Sequence, residues 1–370
     1  MDAPATLDID VAEIDARIAD NWSLPTRFYW DPAIFDFEME TIFAKNWLYF
    51  GPVHKLAEPG DVVTRQMGKY PIVVTRDRDG ELRAFLNICR HRGYTVVEGD
   101  RSKCLRLVCR YHGWSYNLDG TLANAPDADG DAGFCQDKLA LRPVAVEQFG
   151  PAILVNPDPT ARPFRECHPA FADNVESVGF CSEPDRYIMR KEITYDIGTN
   201  WKLWYDNGTE CYHCPNIHGE SFGAAFRSRP EDTDAIYGDG FMTNTWEPQP
   251  EVASNQLTSQ TFRSYQVFPG IVLIEHDDLL HMTGMVPVAP GVTQHVTHYL
   301  GDRDSDPERI DAWIDLWDQT YREDNEITAV QYDNIKSAGQ PYNRYVHARE
   351  EAAQHFNAIT WQHYKQALVD

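Results

Sequence analysis

The feature that most constrains this chain is a pair of short, nearly matching segments, each with one cysteine and one histidine. The first reads Asn-Ile-Cys-Arg-His-Arg-Gly and contains Cys89 and His91. The second reads Val-Cys-Arg-Tyr-His-Gly-Trp and contains Cys109 and His112, so the spacing is C-x-H-x17-C-x2-H. Thiolates and imidazoles delivered in equal number from two loops are typical metal ligands. The sequence therefore predicts a metal-containing domain around residues 89–112.

This ligand set suits a [2Fe–2S] cluster in which two cysteines bind one iron and two histidines bind the other. Neutral imidazoles make the cluster less negative and raise its potential, which suits a relay of single electrons. A structural zinc site is the alternative, because zinc also binds two cysteines with two histidines. Zinc loops usually supply paired ligands of one type, whereas each loop here mixes the two types. The pattern resembles the Rieske motif, so we expect these four residues to hold a [2Fe–2S] cluster.

The charge of the chain limits its partners. Thirty-three Lys and Arg face 57 Asp and Glu, a formal net charge of −24. Such a surface repels nucleic acid and anionic lipid, so neither is an expected partner. No apolar run of about eighteen residues occurs, and the first thirty residues do not resemble a secretion signal. With only 8 Cys in 370 residues, reduced thiols and a cytoplasmic location are expected.

Residues 89–112 are basic against this acidic background. Its charged residues are Arg90, Arg92, Arg101, Lys103, Arg106 and Arg110, with only Glu98 and Asp100 of opposite sign. A basic surface beside a redox centre could dock an acidic electron donor. The same side chains could instead offset cluster charge or pair with neighbouring carboxylates.

The order of strand-like and helix-like segments along the chain predicts two domains. Short β-type runs between turns, such as Asp79-Gly80 and Asp119-Gly120, predict a small all-β domain over residues 46–156. A proline-rich stretch predicts a linker at 157–170. Further β-type runs, a helical stretch at about 199–213 and closing helices at about 307–335 and 347–368 predict an α+β domain over 171–370. Helical spacing predicts N-terminal helices within residues 1–45.

A second metal site is predicted from His213 and His218. Residues five apart on a continuous helix diverge by about 140°, so they could not easily share a metal. Pro215 is expected to break the helix after His213 and let His218 turn back. Two histidines and one carboxylate form a facial triad that binds non-haem Fe(II) and leaves positions open. The neighbouring Cys211 and Cys214 would close such a site, and we expect them to be packing residues.

Asp324 is the predicted third ligand. The helix at about 307–335 has an apolar stripe of Ile310, Trp313, Ile314, Trp317, Tyr321, Ile327, Thr328 and Ile335. At about 100° per residue Asp324 falls within this stripe, whereas Asp315, Asp318 and Asp333 fall outside it. A carboxylate aimed at the core is costly unless it is paired or metal-bound. Taken alone, His213 and His218 could be ordinary hydrogen-bonded histidines. A [2Fe–2S] cluster that relays single electrons requires an electron acceptor, and this favours a second metal site at His213 and His218.

Together these motifs resemble the α (oxygenase) subunit of Rieske non-haem iron oxygenases over nearly the whole chain. The resemblance rests on Asn200-Trp201-Lys202, on Glu210-x2-His213-x4-His218, and on Glu323-Asp324 before Val330-Gln331. It implies a small all-β Rieske domain and a larger α+β catalytic domain with an antiparallel, helix-grip-like sheet and C-terminal helices. The N-terminal helices are expected to pack on the catalytic domain. The implied cofactors are a [2Fe–2S] cluster and Fe(II).

The resemblance also implies partners and a role for Glu210. A reductase containing flavin or an iron–sulfur centre, or a ferredoxin, would supply electrons for hydroxylation of a small organic substrate by O2. The expected assembly is a homotrimer, or α3β3 with a small subunit, in which Glu210 bridges to a cluster-ligating histidine of the neighbouring subunit. Most relatives have Asp at this position. Glu, in the sequence Glu-Cys-Tyr-His, is similar to the carnitine, glycine-betaine and choline monooxygenases.

The sequence does not identify the substrate. One hypothesis is ring hydroxylation of an aromatic compound, and another is hydroxylation or N-demethylation of a quaternary or tertiary amine held by cation–π contacts. Candidate lining residues are Phe262, Phe268, Ile271, Leu273, His276 and Met282, although strand alternation alone does not say which face is inward. The alternative function is an electron carrier or iron-binding protein without oxygenase activity.

Overall fold

The computed structural model describes residues 7, 9–131, 133–229, 233–249, 262–276 and 278–369. The chain forms two compact units, each described separately below. The small unit is Ala44–Phe164, and the large unit combines Met1–Phe43 with Arg165–Asp370. The N-terminal helices therefore belong to the large unit. No helix among the described residues is both long and apolar enough to cross a membrane.

The small unit consists of antiparallel strands. They are β1 Leu48–Pro52, β2 Val62–Met67, β3 Tyr70–Arg76, β4 Leu82–Leu86, β5 Leu107–Val108, β6 Ser115–Tyr116, β7 Leu122–Asn124, β8 Pro143–Phe149 and β9 Ala152–Asn156. One sheet has the order β1-β9-β8-β4-β3-β2, and a short sheet has the order β5-β6-β7. The core between them includes Val62, Val73 and Phe85 together with both predicted cysteine ligands. The apolar face of the larger sheet thus supports the two cysteine–histidine loops.

The large unit is built around one antiparallel sheet. Its strands are β10 Tyr187–Ile197, β11 Thr233–Gly238, β12 Phe241–Trp246, β13 Phe262–Val267, β14 Ile271–His276, β15 Leu279–Ala289 and β16 Val292–Asp302. The order β10-β16-β15-β14-β13-β12-β11 is a meander except that β10 pairs with β16. Nearly all residues of β14, β15 and β16 are buried, on both faces of the strands, which indicates that this part of the sheet is covered on each side.

The helices of the large unit position the predicted iron ligands. They are α1 Val11–Ala19, α2 Pro32–Thr41, α3 Phe164–Cys167, α4 Pro169–Val175, α5 Gly179–Ser182, α6 Trp201–Gly208, α7 Cys214–Ile217, α8 Phe222–Ala225, α9 Pro307–Ala338 and α10 His347–Val369. The predicted linker at 157–170 contains α3 and the start of α4. A kink at Glu350 divides α10.

The long helix α9 lies against the sheet and has clear boundaries. Asp306 caps its start by accepting a hydrogen bond from the Glu308 N–H at 3.0 Å, and Pro307 occupies the first turn. Gly339, with φ of 66°, ends the helix in the left-handed conformation. Its Trp317 indole N–H donates to His276 Nε2 on β14 at 3.0 Å. The predicted apolar stripe of this helix therefore faces the sheet.

The fold predicted from sequence is confirmed: a small β domain precedes a larger α+β domain with an antiparallel sheet and C-terminal helices. The helical stretch predicted at 199–213 is wrong in its second half, because α6 ends at Gly208. Pro215 does not break that helix. It lies in the first turn of the separate helix α7, where its missing N–H costs nothing.

Candidate cluster and mononuclear metal sites

The two cysteine–histidine loops have the same backbone design. In each loop the cysteine N–H donates to the carbonyl five residues later, at 2.7 Å for Cys89 and 2.9 Å for Cys109. Gly93 and Gly113, four residues after the cysteines, donate back to the cysteine carbonyls at 3.0 Å. Both glycines have φ of 74°, a conformation that a side chain would strain. The repeated Gly in the two sequence segments therefore explains the repeated loop.

The four predicted cluster ligands divide into an inner and an outer pair. Cys89 and Cys109 are 3% and 2% exposed, and burial raises the pKa of the Cys109 thiol. His91 and His112 are exposed, with ring centroids 4.6 Å apart. Two inner sulfurs and two adjacent outer imidazoles fit a cluster with one iron facing the core and the other facing outward. The residues present therefore fit a [2Fe–2S] group.

Aromatic side chains hold this site in place. The His91 ring stacks on Trp114 at 4.9 Å with the ring planes 8° apart. Tyr116 is fully buried, and its hydroxyl oxygen lies 3.3 Å from Cys89 Sγ. The Arg90 N–H also donates to this oxygen at 3.0 Å. Because a metal-bound thiolate has no proton to donate, the Tyr116 hydroxyl would donate to Cys89 Sγ when the cluster is held. Tyr116 therefore stabilises negative charge on the cysteine ligand.

We expect Tyr116→Phe to lower the reduction potential of the cluster. A hydrogen bond to a charged group contributes about 1.5 kcal/mol, and 59 mV corresponds to about 1.4 kcal/mol for one electron. Loss of this bond should shift the potential by about 30–60 mV, since only part of the energy differs between the two redox states. A spectroelectrochemical titration measures it. Tyr94→Phe is the matched control, because the Tyr94 hydroxyl bonds Glu98 and Arg110 rather than sulfur. Equal potentials for wild type and Tyr116→Phe would contradict the assignment.

In the large unit, His213, His218 and Asp324 come together at one point. The Nε2 atoms of the two histidines are 3.2 Å apart. Asp324 Oδ1 lies 3.0 Å from His218 Nε2 and 3.3 Å from His213 Nε2. Metal–ligand bonds of about 2.1 Å at right angles place neighbouring ligand atoms about 3 Å apart. The three atoms therefore form the triangle that one face of an octahedral metal site requires.

Two carboxylates and one amide form hydrogen bonds with the three side chains of the triangle and fix their orientation. Glu210 Oε1 lies 2.7 Å from His213 Nδ1, and Glu323 Oε2 lies 2.7 Å from His218 Nδ1. The Asn207 amide donates to Asp324 Oδ1 at 2.7 Å. A metal-ligating histidine commonly donates its second ring N–H to a carboxylate, which fixes its orientation. Both Nε2 atoms are thereby directed to the shared point.

The electrostatics of the triangle favour a bound cation. Burial alone would raise the pKa of Asp324. The hydrogen bonds from the two histidines outweigh this effect and hold the pKa of Asp324 well below its ordinary value. Burial lowers the pKa of His213, yet the Asp324 and Glu210 carboxylates carry it to about 10. A divalent ion held by these three atoms would replace a proton, so its affinity should depend on pH.

The burial predicted for Asp324 is confirmed. It is 6% exposed, within a stripe whose Trp317 and Tyr321 are each 3% exposed. Asp315 and Asp333 on the same helix are exposed. Helical periodicity therefore identified the inward-facing carboxylate, and its ligand role remains a proposal.

Cys211 and Cys214 differ from the prediction. They form a disulfide with a Cα–Cα distance of 4.9 Å, because the turn between α6 and α7 brings them together. Cys214, His213 and His218 also lie close enough to form a metal-ligand group. However, Cys214 Sγ is bonded to Cys211 and lies 4.0 Å from His213 Nε2, farther than Asp324 Oδ1. Asp324 is therefore the better third ligand.

A cleft opens onto this triangle. Its lining includes Trp204, Asn207, Glu210, Phe222, Trp246, Phe262, Ser264, Gln266, Val272, Ile274, Trp317, Thr320 and Tyr321. Of the lining residues predicted from sequence, Phe262 is present, whereas Phe268, Ile271, Leu273, His276 and Met282 are not in this lining. In β14 the even-numbered residues Val272 and Ile274 face the cleft, so the odd-numbered pair predicted there lies on the other face. Ser264, Gln266 and the supporting Glu323 were missed.

Comparison with known protein families matches both units. Residues 46–146 match the Rieske [2Fe-2S] domain family. Residues 184–366 match the family described as ring hydroxylating alpha subunit (catalytic domain). The matched ranges contain all four predicted cluster ligands and all three predicted iron ligands, respectively. The two matches together span about three quarters of the chain.

Individual relatives agree with these families. The chain is 36% identical over 197 residues to the carnitine monooxygenase oxygenase subunit of Escherichia coli K12, which covers 53% of this chain and 52% of the relative. The chain thus spans about half the length of the curated relatives it matches. A quaternary ammonium Rieske monooxygenase superposes with a TM-score of 0.86 at 23% identity, over 97% of this chain and 99% of that chain. Naphthalene 1,2-dioxygenase from Rhodococcus sp. bound to indole gives a TM-score of 0.82 at 19% identity, over 97% of each chain. These two likenesses establish the fold.

Proposed function

Because this chain belongs to the α subunits of Rieske non-haem iron oxygenases, we propose that it is the terminal oxygenase of a multicomponent system that hydroxylates a small organic substrate. The observation that carries this proposal is the triangle of His213 Nε2, His218 Nε2 and Asp324 Oδ1, with sides of 3.0–3.3 Å. A protein that only carries electrons has no need of such a site in a second unit.

The cofactors supply the redox chemistry, and the chain positions them. When bound, the [2Fe–2S] cluster supplies single electrons, and the ferrous ion supplies O2 activation for hydroxylation. The Glu210 and Glu323 carboxylates keep each histidine's Nε2 free for the metal. Asn207 fixes Asp324. Apolar side chains such as Phe222, Trp246 and Trp317 line the cleft beside these ligands.

Glu210 is proposed to link the two centres between subunits. Its side chain is 8% exposed within one chain, and Oε1 contacts His213 Nδ1 at 2.7 Å. By resemblance to the family, the same carboxylate would meet a cluster-ligating histidine, His91 or His112, of the neighbouring subunit. The exposed position of both imidazoles in the small unit supports this proposal.

We propose a homotrimer, or α3β3 with a small subunit, because the bridge requires a neighbouring chain. The electron donor is proposed to be a flavin or iron–sulfur reductase, or a ferredoxin. A cytoplasmic location is proposed because NAD(P)H, the electron source of such reductases, is available there.

The basic loop of the small unit is the proposed docking surface for the donor. Leu105 and Val108 are 73% and 54% exposed, and Arg101, Lys103 and Arg106 around them are exposed too. Among the described residues, these three cations form no ion pair with a carboxylate, whereas Arg110 pairs with Glu98 at 3.0 Å. An apolar centre with a charged rim is typical of a protein interface.

Replacing Arg101 and Lys103 by Glu should slow cluster reduction by an acidic donor at least about tenfold at low salt, because electrostatic steering sets the association rate. The difference should shrink as salt screens the charges. Stopped-flow reduction at several salt concentrations measures it. Arg78→Glu with Lys138→Glu is the control, since it makes the same charge change at exposed positions outside the loop. An unchanged, salt-independent rate would exclude this docking surface.

The substrate screen tests the proposed function. Purified enzyme with a reductase is supplied with aromatic compounds, aromatic acids and trimethylammonium compounds, and oxygen uptake is compared with product formation. The carnitine monooxygenase relative favours amine oxidation as the second candidate. Uptake coupled to product with one class identifies that class. Equal uptake with every compound and with none would refute the proposal.

A further inference from the structure

The substrate cleft contains a buried hydrogen-bond acceptor without a partner. Gln266 is 4% exposed and lines the cleft beside the proposed iron ligands. Its Nε2 donates to Ser264 Oγ at 3.3 Å. Its carbonyl oxygen Oε1 has no hydrogen-bond partner within the described part of the chain. Leaving a buried polar atom unpaired costs about 1–3 kcal/mol. A ligand group that donates a hydrogen bond to such an atom would remove this cost.

The strand register directs Gln266 into the cleft. Phe262, Ser264 and Gln266 alternate along β13 and share one face of the sheet. Ser264 pairs with Ile274 and Gln266 with Val272 on β14, and all of these residues line the cleft. Of the other polar groups nearby, the Asn207 amide donates to Asp324 and the Thr320 hydroxyl donates to the Leu316 carbonyl. The indole N–H of Trp204 has no partner among the described residues, but it is a donor and not an acceptor. Gln266 therefore provides the free acceptor on this wall.

Four aromatic residues of the cleft form one cluster. The rings of Phe222, Trp246, Phe262 and Trp317 contact one another, with centroid distances of 5.5–5.9 Å. Trp246 and Phe262 stack with their ring planes 7° apart, and Phe222 meets both rings edge-on. Together these rings present a continuous apolar surface. Such a surface suits a planar apolar ligand.

The charge of the cleft disfavours a carboxylate on the ligand. Its lining contains Glu210 and Asp324 but neither Lys nor Arg. Even with a divalent ion in place, the carboxylates of Glu210, Glu323 and Asp324 leave the site net negative. An anionic group would be buried there without a partner.

We propose that Gln266 is a specificity-determining residue, whose carbonyl oxygen accepts a hydrogen bond from an N–H or O–H group on an uncharged, planar substrate. This inference deepens the proposed function and rests on it for the chemistry that follows binding. Among the substrate hypotheses it favours uncharged aromatic compounds that carry a donor over aromatic acids.

The test compares indole, benzofuran and indole-3-carboxylate by anaerobic calorimetric titration of the iron-loaded enzyme. Indole and benzofuran have the same shape but differ by one N–H donor. Wild type should bind indole about tenfold more tightly than benzofuran, and indole-3-carboxylate at least about tenfold more weakly than indole. Gln266→Met should abolish the preference for indole while keeping or improving the affinity for benzofuran. Retained benzofuran binding shows that the variant is folded.

The matched control is Gln294→Met, which makes the same chemical change on β16, outside the cleft lining. Its indole-to-benzofuran ratio should equal that of wild type. An indole preference that survives Gln266→Met, equal wild-type binding of indole and benzofuran, or binding of the carboxylate at least as tight as that of indole would each overturn the assignment. If the affinities follow the predicted order but no compound supports oxygen uptake, the proposed function fails and the role of Gln266 stands.

Discussion

Replacing Asp324 by alanine should remove the mononuclear iron and reduce substrate-dependent oxygen uptake by about a hundredfold or more, while the cluster spectrum remains unchanged. Asp324 Oδ1 contributes one corner of the ligand triangle, 3.0 Å from His218 Nε2 and 3.3 Å from His213 Nε2. Loss of residues that only support a ligand typically costs about 10–100-fold, so loss of the ligand itself should cost at least as much. Iron content and coupled oxygen uptake measure the two effects.

The control for this substitution is Asp315→Ala on the same helix. Asp315 is exposed, so its removal should leave iron content and oxygen uptake unchanged. The cluster spectrum reports on the folding of the small unit in both variants. Full mononuclear iron in Asp324→Ala would show that another group is the third ligand.

Lys202→Met should produce the largest loss of stability. The Lys202 ammonium and the Glu38 carboxylate are 1% and 0% exposed and form an ion pair. Glu38 also accepts from the Trp201 indole at 2.9 Å and from the Tyr364 hydroxyl. Removing one partner of a buried pair leaves an uncompensated charge, which costs about 3–5 kcal/mol. The free energy of unfolding should fall by that amount, as measured by urea denaturation of the large unit.

The structural reason is that this pair joins three helices. Glu38 lies on α2, Lys202 on α6 and Tyr364 on α10, so the contacts of Glu38 tie the N-terminal helix α2 to the rest of the large unit. Removing both charges with Lys202→Met and Glu38→Gln should restore part of the lost stability. Arg322→Met breaks an ion pair whose arginine is 64% exposed, and should change stability by less than about 1 kcal/mol. Equal effects for the buried and the exposed pair would contradict this account.

The parts of the site that could be predicted from sequence depend on local pattern. Cys89, His91, Cys109 and His112 lie in two short loops, each closed by a glycine four residues after its cysteine, so spacing alone describes them. The inward position of Asp324 follows from the period of one long helix. Each cysteine–histidine loop and the stripe of the long helix are local features, so each could be recognised without knowledge of the tertiary structure.

The parts that sequence reasoning missed depend on pairing between distant segments. Gln266 faces the cleft because β13 pairs with β14 in a particular register, and a shift of one residue would reverse the two faces. Glu323 was recognised only as the neighbour of Asp324, yet it supports His218, more than one hundred residues away. The Cys211–Cys214 disulfide depends on the tight turn between α6 and α7, which the predicted longer helix excluded.

The most direct test of the central claim, that this chain holds an electron-relaying cluster and a separate catalytic iron, is metal analysis of the purified protein with electron paramagnetic resonance. The account predicts about three irons per chain, two in a Rieske cluster and one in a ferrous site that requires Asp324. Zinc in place of iron at either site would contradict it. Two irons per chain with undiminished substrate-dependent oxygen uptake would contradict it equally.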